Sequence, residues 1–434
     1  MVARRGALGQ HDAKLAEMSE KVVVVGVDVA KDWHYIQAIE AASGRSLGPA
    51  VRISNDWVGF DLLDHKLEAL ASARRGRRAD VVVGMEPTGV YGQPLAYFLQ
   101  EMGYHVVYVS PFAVKQTKEF NDNTPTKSDP KDALVVADLV RNGRYLGLHL
   151  PKGVYADMRS LSDMQRERRK DRNRWVNRTR TALARYFPEY AKVMRTIDSR
   201  SSLWVLTNAP TPVQVLAMDG EVLARGLGST YKRPRAERER ARRLREAAEK
   251  SIGIPAGEQA RLYLVDLADQ LSVASRRLEE CEARMAKVLD KAGPTAKLIT
   301  TIPGVGTVVA VHLLGRLGDV RQYEHPRQVV KMAGMNLTHN SSGHKDGRRH
   351  LSKRGSALMR ATVYQAALSV VRSDPTMRAI YQELRTKAKA PLTGTAALCA
   401  IGTRLLRVIW GMGQRQRAYD GKVVLAHHRN CKAA

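Results

Sequence analysis

The sequence predicts an α/β N-terminal domain of element order βββαβαβα, then a helical region with coiled-coil character, then a mainly helical C-terminal domain. Three observations carry that prediction. Short valine-rich runs separated by turn-prone residues fill the first part of the chain. Long stretches rich in Arg, Glu and Leu follow, with apolar residues at loosely heptad intervals. The last part is helical in pattern and punctuated by glycine, with no repeat of solenoid period.

Taken in order, VVVVGVDVAKDW, HYIQAIEA and AVRISN read as three strands of an antiparallel meander. A helix over Trp57–Ala73, the strand ADVVVGMEP, a helix over Val90–Met102, the strand HVVYVS and a helix opening near Asp129 complete the first domain. Residues Tyr155–Tyr190 read as a long helix with a basic face that includes Arg159, Arg166, Arg169, Arg172, Arg174 and Arg178. KRPRAERERARRLREAAEK, from Lys232, reads as a charge-laced helix or linker. Gly257–Lys291 places Leu262, Val265, Leu267, Leu271, Leu278 and Met285 along one helix, which suggests a coiled-coil arm. The expected boundaries are a disordered segment 1–20, a sheet domain 21–150, a basic helical and coiled-coil linker 151–293, a C-terminal domain 294–415 and a basic tail 416–434.

The chain has 434 residues, with 71 Lys and Arg against 43 acids and a net charge of +28. Such an imbalance implies a polyanionic partner, nucleic acid first and an acidic membrane surface second, because cations gain affinity by displacing counterions from phosphates. No apolar run approaches the roughly 20 residues that cross a bilayer, and the N-terminus has no apolar signal core, so a cytoplasmic, nucleoid-associated protein with no membrane partner is expected. Cys281, Cys399 and Cys431 are too scattered for a disulfide framework or a zinc site.

Four acids stand where metal chemistry needs them. Asp28 ends the valine run of VGVDVAKD, and Glu86 ends VVVGMEP, where Pro87 and Gly89 force a turn. In KSDPKDALVVADLVR, Asp129 and Asp132 are three apart and share one face of a helix whose start Asp129 and Pro130 mark. Asp28, Glu86 and Asp129 alone each also read as an ordinary cap, and Asp132, which capping does not explain, as a first-turn acid favoured by the helix dipole. Four oxygen donors brought together suit one or two hard cations such as Mg²⁺, which activate phosphodiester chemistry.

In the C-terminal part, Gly304 and Gly306 of TIPGVGTVVAVHLL resemble a helix-hairpin-helix turn that offers backbone amides to a phosphate, or a plain helix–helix turn. NLTHNSSGHKDGRRHLSKRGSALMR sets Ser341 and Ser342 beside Gly343, Lys345, Arg348, Arg349, Lys353 and Arg354. A serine among cations reads either as a nucleophile toward phosphate or as a loop that binds a DNA backbone without chemistry.

In combination and order, VGVDVAKD, VVGMEPTGVY, KSDPKDALVVADLVR, IPGVG and SSGHKDGRRHLSKRGSALMR resemble the DEDD-type insertion-sequence transposases of the IS one-ten group, described as bridge-RNA-guided recombinases. The resemblance covers most of the chain. It implies an RNase H/RuvC-like N-terminal fold in which Asp28, Glu86, Asp129 and Asp132 bind Mg²⁺. It also implies a serine nucleophile, with Ser342 ranked before Ser341, and a covalent phosphoserine intermediate with element-end and target DNA. A non-coding guide RNA and assembly into dimers or tetramers, with a composite site drawn from different protomers, belong to the same implication. The segment 229–250 and the tail past Trp410 match no motif. The competing classes are a junction nuclease that uses the same acids with water as nucleophile, a non-catalytic nucleic-acid-binding protein, and a sugar-kinase-like ATPase, for which this sequence lacks a second glycine-rich phosphate loop.

Overall fold

The computed structural model describes residues 7–86, 89–122, 129–147, 152–228, 234–338, 349–386 and 390–433. The chain divides into two compact units between residues 150 and 151.

The first unit opens with helix α1 (Ala7–Ala16), inside the segment where disorder was expected. Strands β1 (Val23–Val29), β2 (Trp33–Glu40) and β3 (Val51–Ser54) form the expected meander. Helix α2 (Trp57–Ser72) begins where Asp56 accepts a hydrogen bond from the Gly59 amide. Strand β4 (Val81–Met85), helix α3 (Gln93–Glu101), strand β5 (His105–Tyr108), helices α4 (Pro111–Asp122) and α5 (Asp129–Arg141) and strand β6 (Leu146–Gly147) follow. The sheet is mixed, in the order β3-β2-β1-β4-β5-β6, with β1, β4 and β5 parallel. Helix α4 and strand β6 were not foreseen in βββαβαβα.

Alternation along the strands sorts the core into two layers. Val23, Val25, Val27, Val81, Val83 and Met85 pack with Phe60, Leu63 and Leu67 of α2 and with Leu95 and Leu99 of α3. Val24, Val82 and Val107 pack on the other face with Val136, Ala137 and Val140 of α5. Burial on both faces explains why β1 and β4 are valine runs rather than alternating strands.

The second unit is helical and is built around α6 (Val154–Tyr186) and α12 (Glu258–Lys291). Between them lie the short helices α7 (Tyr190–Val193), α8 (Arg200–Asn208), α9 (Pro212–Ala217) and α10 (Gly220–Leu227), then α11 (Pro234–Glu249). Gln165 Nε2 donates to Glu282 Oε1 at 2.8 Å, and Leu183 shares a core with Leu264 and Leu271, so the long helices run antiparallel. Buried positions of α12 recur at multiples of seven, Leu264 and Leu271 seven apart and Met285 fourteen further on, with Leu267, Ala274 and Cys281 seven apart beside them. Leu262, assigned to that stripe from sequence, is 41% exposed. Helix α11 occupies the segment read as a solvated, charge-laced helix or linker, and it buries Ala241, Leu244 and Ala248 among α7–α10.

The remaining elements are α13 (Pro294–Leu298), a 3₁₀ turn over Ile299–Thr301, α14 (Thr307–Leu317), α15 (Pro326–Met332), the hairpin strands β7 (Leu337–Thr338) and β8 (His350–Leu351), α16 (Ala357–Ser373), α17 (Pro375–Thr386), α18 (Gly394–Arg415) and α19 (Gly421–Ala433). Helix α18 is long and apolar enough to cross a membrane by length and composition, against the sequence expectation. Leu398, Ile401, Leu405 and Ile409 of this helix lie in the core of the second unit. The tail expected from residue 416 contains α19, held by His428, whose Nδ1 meets Arg404 Nη2 at 2.7 Å and whose Nε2 meets Glu383 Oε2 at 3.2 Å.

Candidate functional site

Asp28 and Glu86 come together because β1 and β4 are parallel neighbours in register. Val27 pairs with Met85, so the two acids occupy the next position on each strand. Both are half-buried at the carboxyl end of the sheet. Asp28 continues the alternation of Val24 and Gly26, and Glu86 that of Val82 and Gly84, which places both on the α5 face.

Two glycines bring α5 onto that face. A Cβ on Gly26 would lie 1.9 Å from the Ala133 carbonyl oxygen, and one on Gly84 would lie 2.3 Å from Val140 Cγ2. At the far end, Arg141 packs on Gly44, beyond the Glu40 that pairs with Val23. Helix α5 therefore runs antiparallel to β1, and its first turn, with Asp129 and Asp132, lies at the Asp28 and Glu86 end. Glycine inside a valine strand was the sequence signal for this close approach.

Asp132 is 5% exposed, and its carboxylate forms an ion pair with Lys118 of α4. Sequence reasoning missed Lys118 because α4 carries few apolar residues at helical spacing. A carboxylate so deeply buried requires a cation. The Asp129 side chain lies outside the described residues. Among the described residues, no group of three or more His, Cys, Asp or Glu side chains is close enough to hold a metal ion. Asp28, Glu86 and Asp132 lie at one sheet end without forming such a group, and Lys118 shows that this end tolerates a cation. Their carboxylate oxygens are of the type a hard divalent ion takes.

In the second unit, Gly304 sits at φ +91°, and a Cβ there would lie 2.8 Å from the Ser369 backbone of α16. Packing alone therefore accounts for this glycine. Gly306 caps α14 with open space around its Cα. The element before the turn is the five-residue α13 and a 3₁₀ turn. Helix α14 is tied to α6 by His312, whose Nδ1 bonds the Ser162 hydroxyl and whose Nε2 meets Gln165 Oε1 at 3.2 Å. Burial, with Arg316 and Arg169 nearby, pushes the His312 imidazole below its ordinary pKa.

Ser341, Ser342, Gly343, Lys345 and Arg348 lie between β7 and β8, outside the described residues. Arg349, Lys353 and Arg354 are exposed beside the hairpin, and Lys353 adopts φ +53°, unusual for a side chain of its kind. Two nearby serines have structural partners. Ser352 Oγ donates to Asn336 Oδ1 at 2.6 Å, and Ser356 caps α16 by accepting from the Met359 amide at 3.2 Å.

A mixed α/β sheet with acids at the carboxyl ends of adjacent strands, joined to a basic helical unit, defines a class of nucleic-acid-processing proteins. Comparison with known proteins gives the family. A model for the DEDD transposase of IS110 matches residues 25–188, and one described as the transposase IS116/IS110/IS902 family matches residues 296–382. The chain is 24% identical over 396 residues to an uncharacterized 44.8 kDa protein of insertion element IS116 from Streptomyces clavuligerus, covering 91% of this chain and 95% of the relative. It is 23% identical over 410 residues to the 43.6 kDa protein of IS110 from Streptomyces coelicolor, covering 92% and 96%. It is 26% identical over 380 residues to a mini-circle putative transposase for IS117 from the same species, covering 84% and 87%. The chain belongs to the IS110/IS116 family of insertion-sequence transposases, enzymes that cleave and rejoin DNA.

Proposed function

We propose that this transposase cuts and rejoins its element ends and target through a serine–DNA intermediate, with the first unit as an RNase H/RuvC-like metal-binding half. The observation that carries the reading is the meeting of Asp28, Glu86 and the first turn of α5 at one sheet end, enforced by Gly26.

Asp28, Glu86, Asp129 and Asp132 would hold Mg²⁺, and Lys118 holds the Asp132 carboxylate in place until then. When bound, the ion supplies positive charge to the phosphate oxygens and to the leaving oxygen. Ser342, with Ser341 as the alternative, attacks phosphorus. The serine Oγ–P bond forms, one P–O bond to deoxyribose breaks, the serine proton passes to a base, and the leaving sugar oxygen takes up a proton. Rejoining reverses the step with a new strand's hydroxyl. Arg349, Lys353 and Arg354, with Lys345 and Arg348, clamp the phosphate backbone. The Gly304–Gly306 turn presents α14 to the DNA as a helix-hairpin-helix element. The α6–α12 pair acts as a coiled-coil arm for assembly into dimers or tetramers, and the charge of +28 accommodates a non-coding guide RNA besides DNA.

The test is incubation of the purified protein with Mg²⁺, element-end DNA and flank-derived RNA, followed by denaturing gels for covalent adducts. Adducts formed by the wild type and lost in both Ser342→Ala and Asp28→Ala support the reading. Cutting without an adduct, retained in Ser342→Ala, replaces the serine with water.

A further inference from the structure

The acidic end of the sheet is bordered by exposed aromatic rings that the reaction chemistry does not use. Trp33 opens β2 and pairs in register with Ser54, two residues before the cap of α2. Trp57, 68% exposed, begins α2 and meets the Phe98 ring edge-on, with centroids 5.7 Å apart. Tyr91 lies in the turn after Glu86, and Tyr97 stands next to Phe98 on α3.

Hydrogen bonds tie these loops into one rim. Asn55 Nδ2 donates to the carbonyl oxygens of Lys31, at 2.9 Å, and of Tyr91, at 3.3 Å, and the Asn55 amide donates to Asp32 O at 2.9 Å. Gly92 packs on Val29, the residue after Asp28, with 3.1 Å from its Cβ position to Val29 Cγ1. The rim therefore borders the sheet end that carries Asp28 and Glu86. Val58 and Val90 extend the exposed apolar surface, and the Arg52 guanidinium covers Trp33 at 4.5 Å. Of the neighbouring acids, Asp56 caps α2 and Asp61 meets His65 at 3.7 Å, while Asp32 is exposed beside Trp33.

An exposed apolar surface of this kind marks a binding site. Its rings are aromatic, one carries a cation, and they stand at the sheet end that carries the acids, Trp57 on the α2–α3 side and the acids on the α5 side. That combination matches a stacking platform for unpaired bases, which any base satisfies with its π-face. We propose that Trp33, Trp57 and Tyr91 hold unpaired bases of the strand to be cut, so that its phosphodiester is delivered single-stranded to Asp28 and Glu86. This inference rests on the reading of those acids as catalytic. A base paired inside a duplex cannot use the rim, so the strand must be melted, or displaced by a competing strand, before it is cut.

The test uses the full-length protein and fluorescence anisotropy with three labelled probes: a single-stranded oligodeoxynucleotide, a strand of the same length made of abasic residues, and the corresponding duplex. The wild type is expected to bind the base-bearing strand roughly tenfold more tightly than the abasic one. Trp57→Ala and Tyr91→Ala should each weaken binding of the base-bearing strand about tenfold, with the abasic strand and the duplex unaffected, and Trp57→Phe should restore most of the loss. Equal losses on all three probes, or none, overturn the proposal. So does a Trp57→Ala variant that binds every probe normally but sediments as a smaller species, because the rim is then a contact between copies of the chain. Glu86→Gln separates the two readings. It is expected to bind the strand and not cut it; if it still cuts DNA, the assignment of the acids fails while the stacking result stands by itself.

Discussion

Gly26 and Gly304 each let a helix come closer than any side chain would permit, and the two regions use that proximity differently. At Gly26 the partner is α5, and the approach carries Asp132 to the end of the sheet beside Asp28 and Glu86. At Gly304 the partner is α16, and the approach closes a turn in the core of the second unit. The chemistry proposed for the first unit sits on the ends of regular elements, whereas that proposed for the second sits in sequence between two-residue strands. A rigid frame therefore positions the acids, and in the second unit β7 and β8 are the described elements on either side of the serines.

The largest effect is expected from Gly26→Val. Its side chain has no room below α5, so the first unit should lose about 3 kcal/mol or more of stability, and strand cutting should disappear. Thermal unfolding together with a cleavage assay checks this, and a variant that melts like the wild type and still cuts removes Gly26 from the argument. Asp132→Asn should lower cutting by roughly a hundredfold while the fold persists, and Lys118→Met should lower it by about tenfold or more. If Lys118→Met is fully active, the ion pair is structural only.

The glycines of the second unit give smaller effects that should split. Gly304→Ala meets both the α16 backbone and a positive φ, so it should cost about 2 kcal/mol or more, whereas Gly306→Ala should cost under about 1 kcal/mol and weaken duplex DNA binding. Equal stability losses in denaturant titrations would erase that distinction. The smallest effect concerns acidity. The His312 pKa is depressed by burial, so the unfolded chain binds the proton first as pH falls below the ordinary value of 6.5. The stabilisation is present above that value and is lost as pH falls through the lower, folded value. The melting temperature should therefore drop by a few degrees more between neutral and mildly acidic pH in the wild type than in His312→Gln.

The meander and the parallel strands were legible because valine runs bounded by turns have few other readings. The placement of the acids was legible for a related reason, since an acid after a buried run must sit where the strand ends. Lys118 was not legible, because PFAVKQTKEFND offers only Phe112, Ala113 and Val114 as an apolar cluster, so α4 left little trace. Strand β6 is two residues long and has no pattern to read. Helix α11 looked solvated because its charges outnumber its apolar residues, yet Ala241, Leu244 and Ala248, at spacings of three and four, suffice to dock it. The apolar character of α18 was visible only once its helical length was known.

The antiparallel pair α6–α12 has a mechanical consequence. At 33 and 34 residues these helices are about 50 Å long, close to the length of fifteen base pairs of B-form DNA. Met158, Met285 and Leu289 belong to one core, and Leu183, Leu264 and Leu271 to the other, at opposite ends of the rods. The second unit is thus a ruler with a weight at each end. An insertion of seven residues in both helices, which preserves the seven-residue spacing, would lengthen it by about 10 Å without repacking either core.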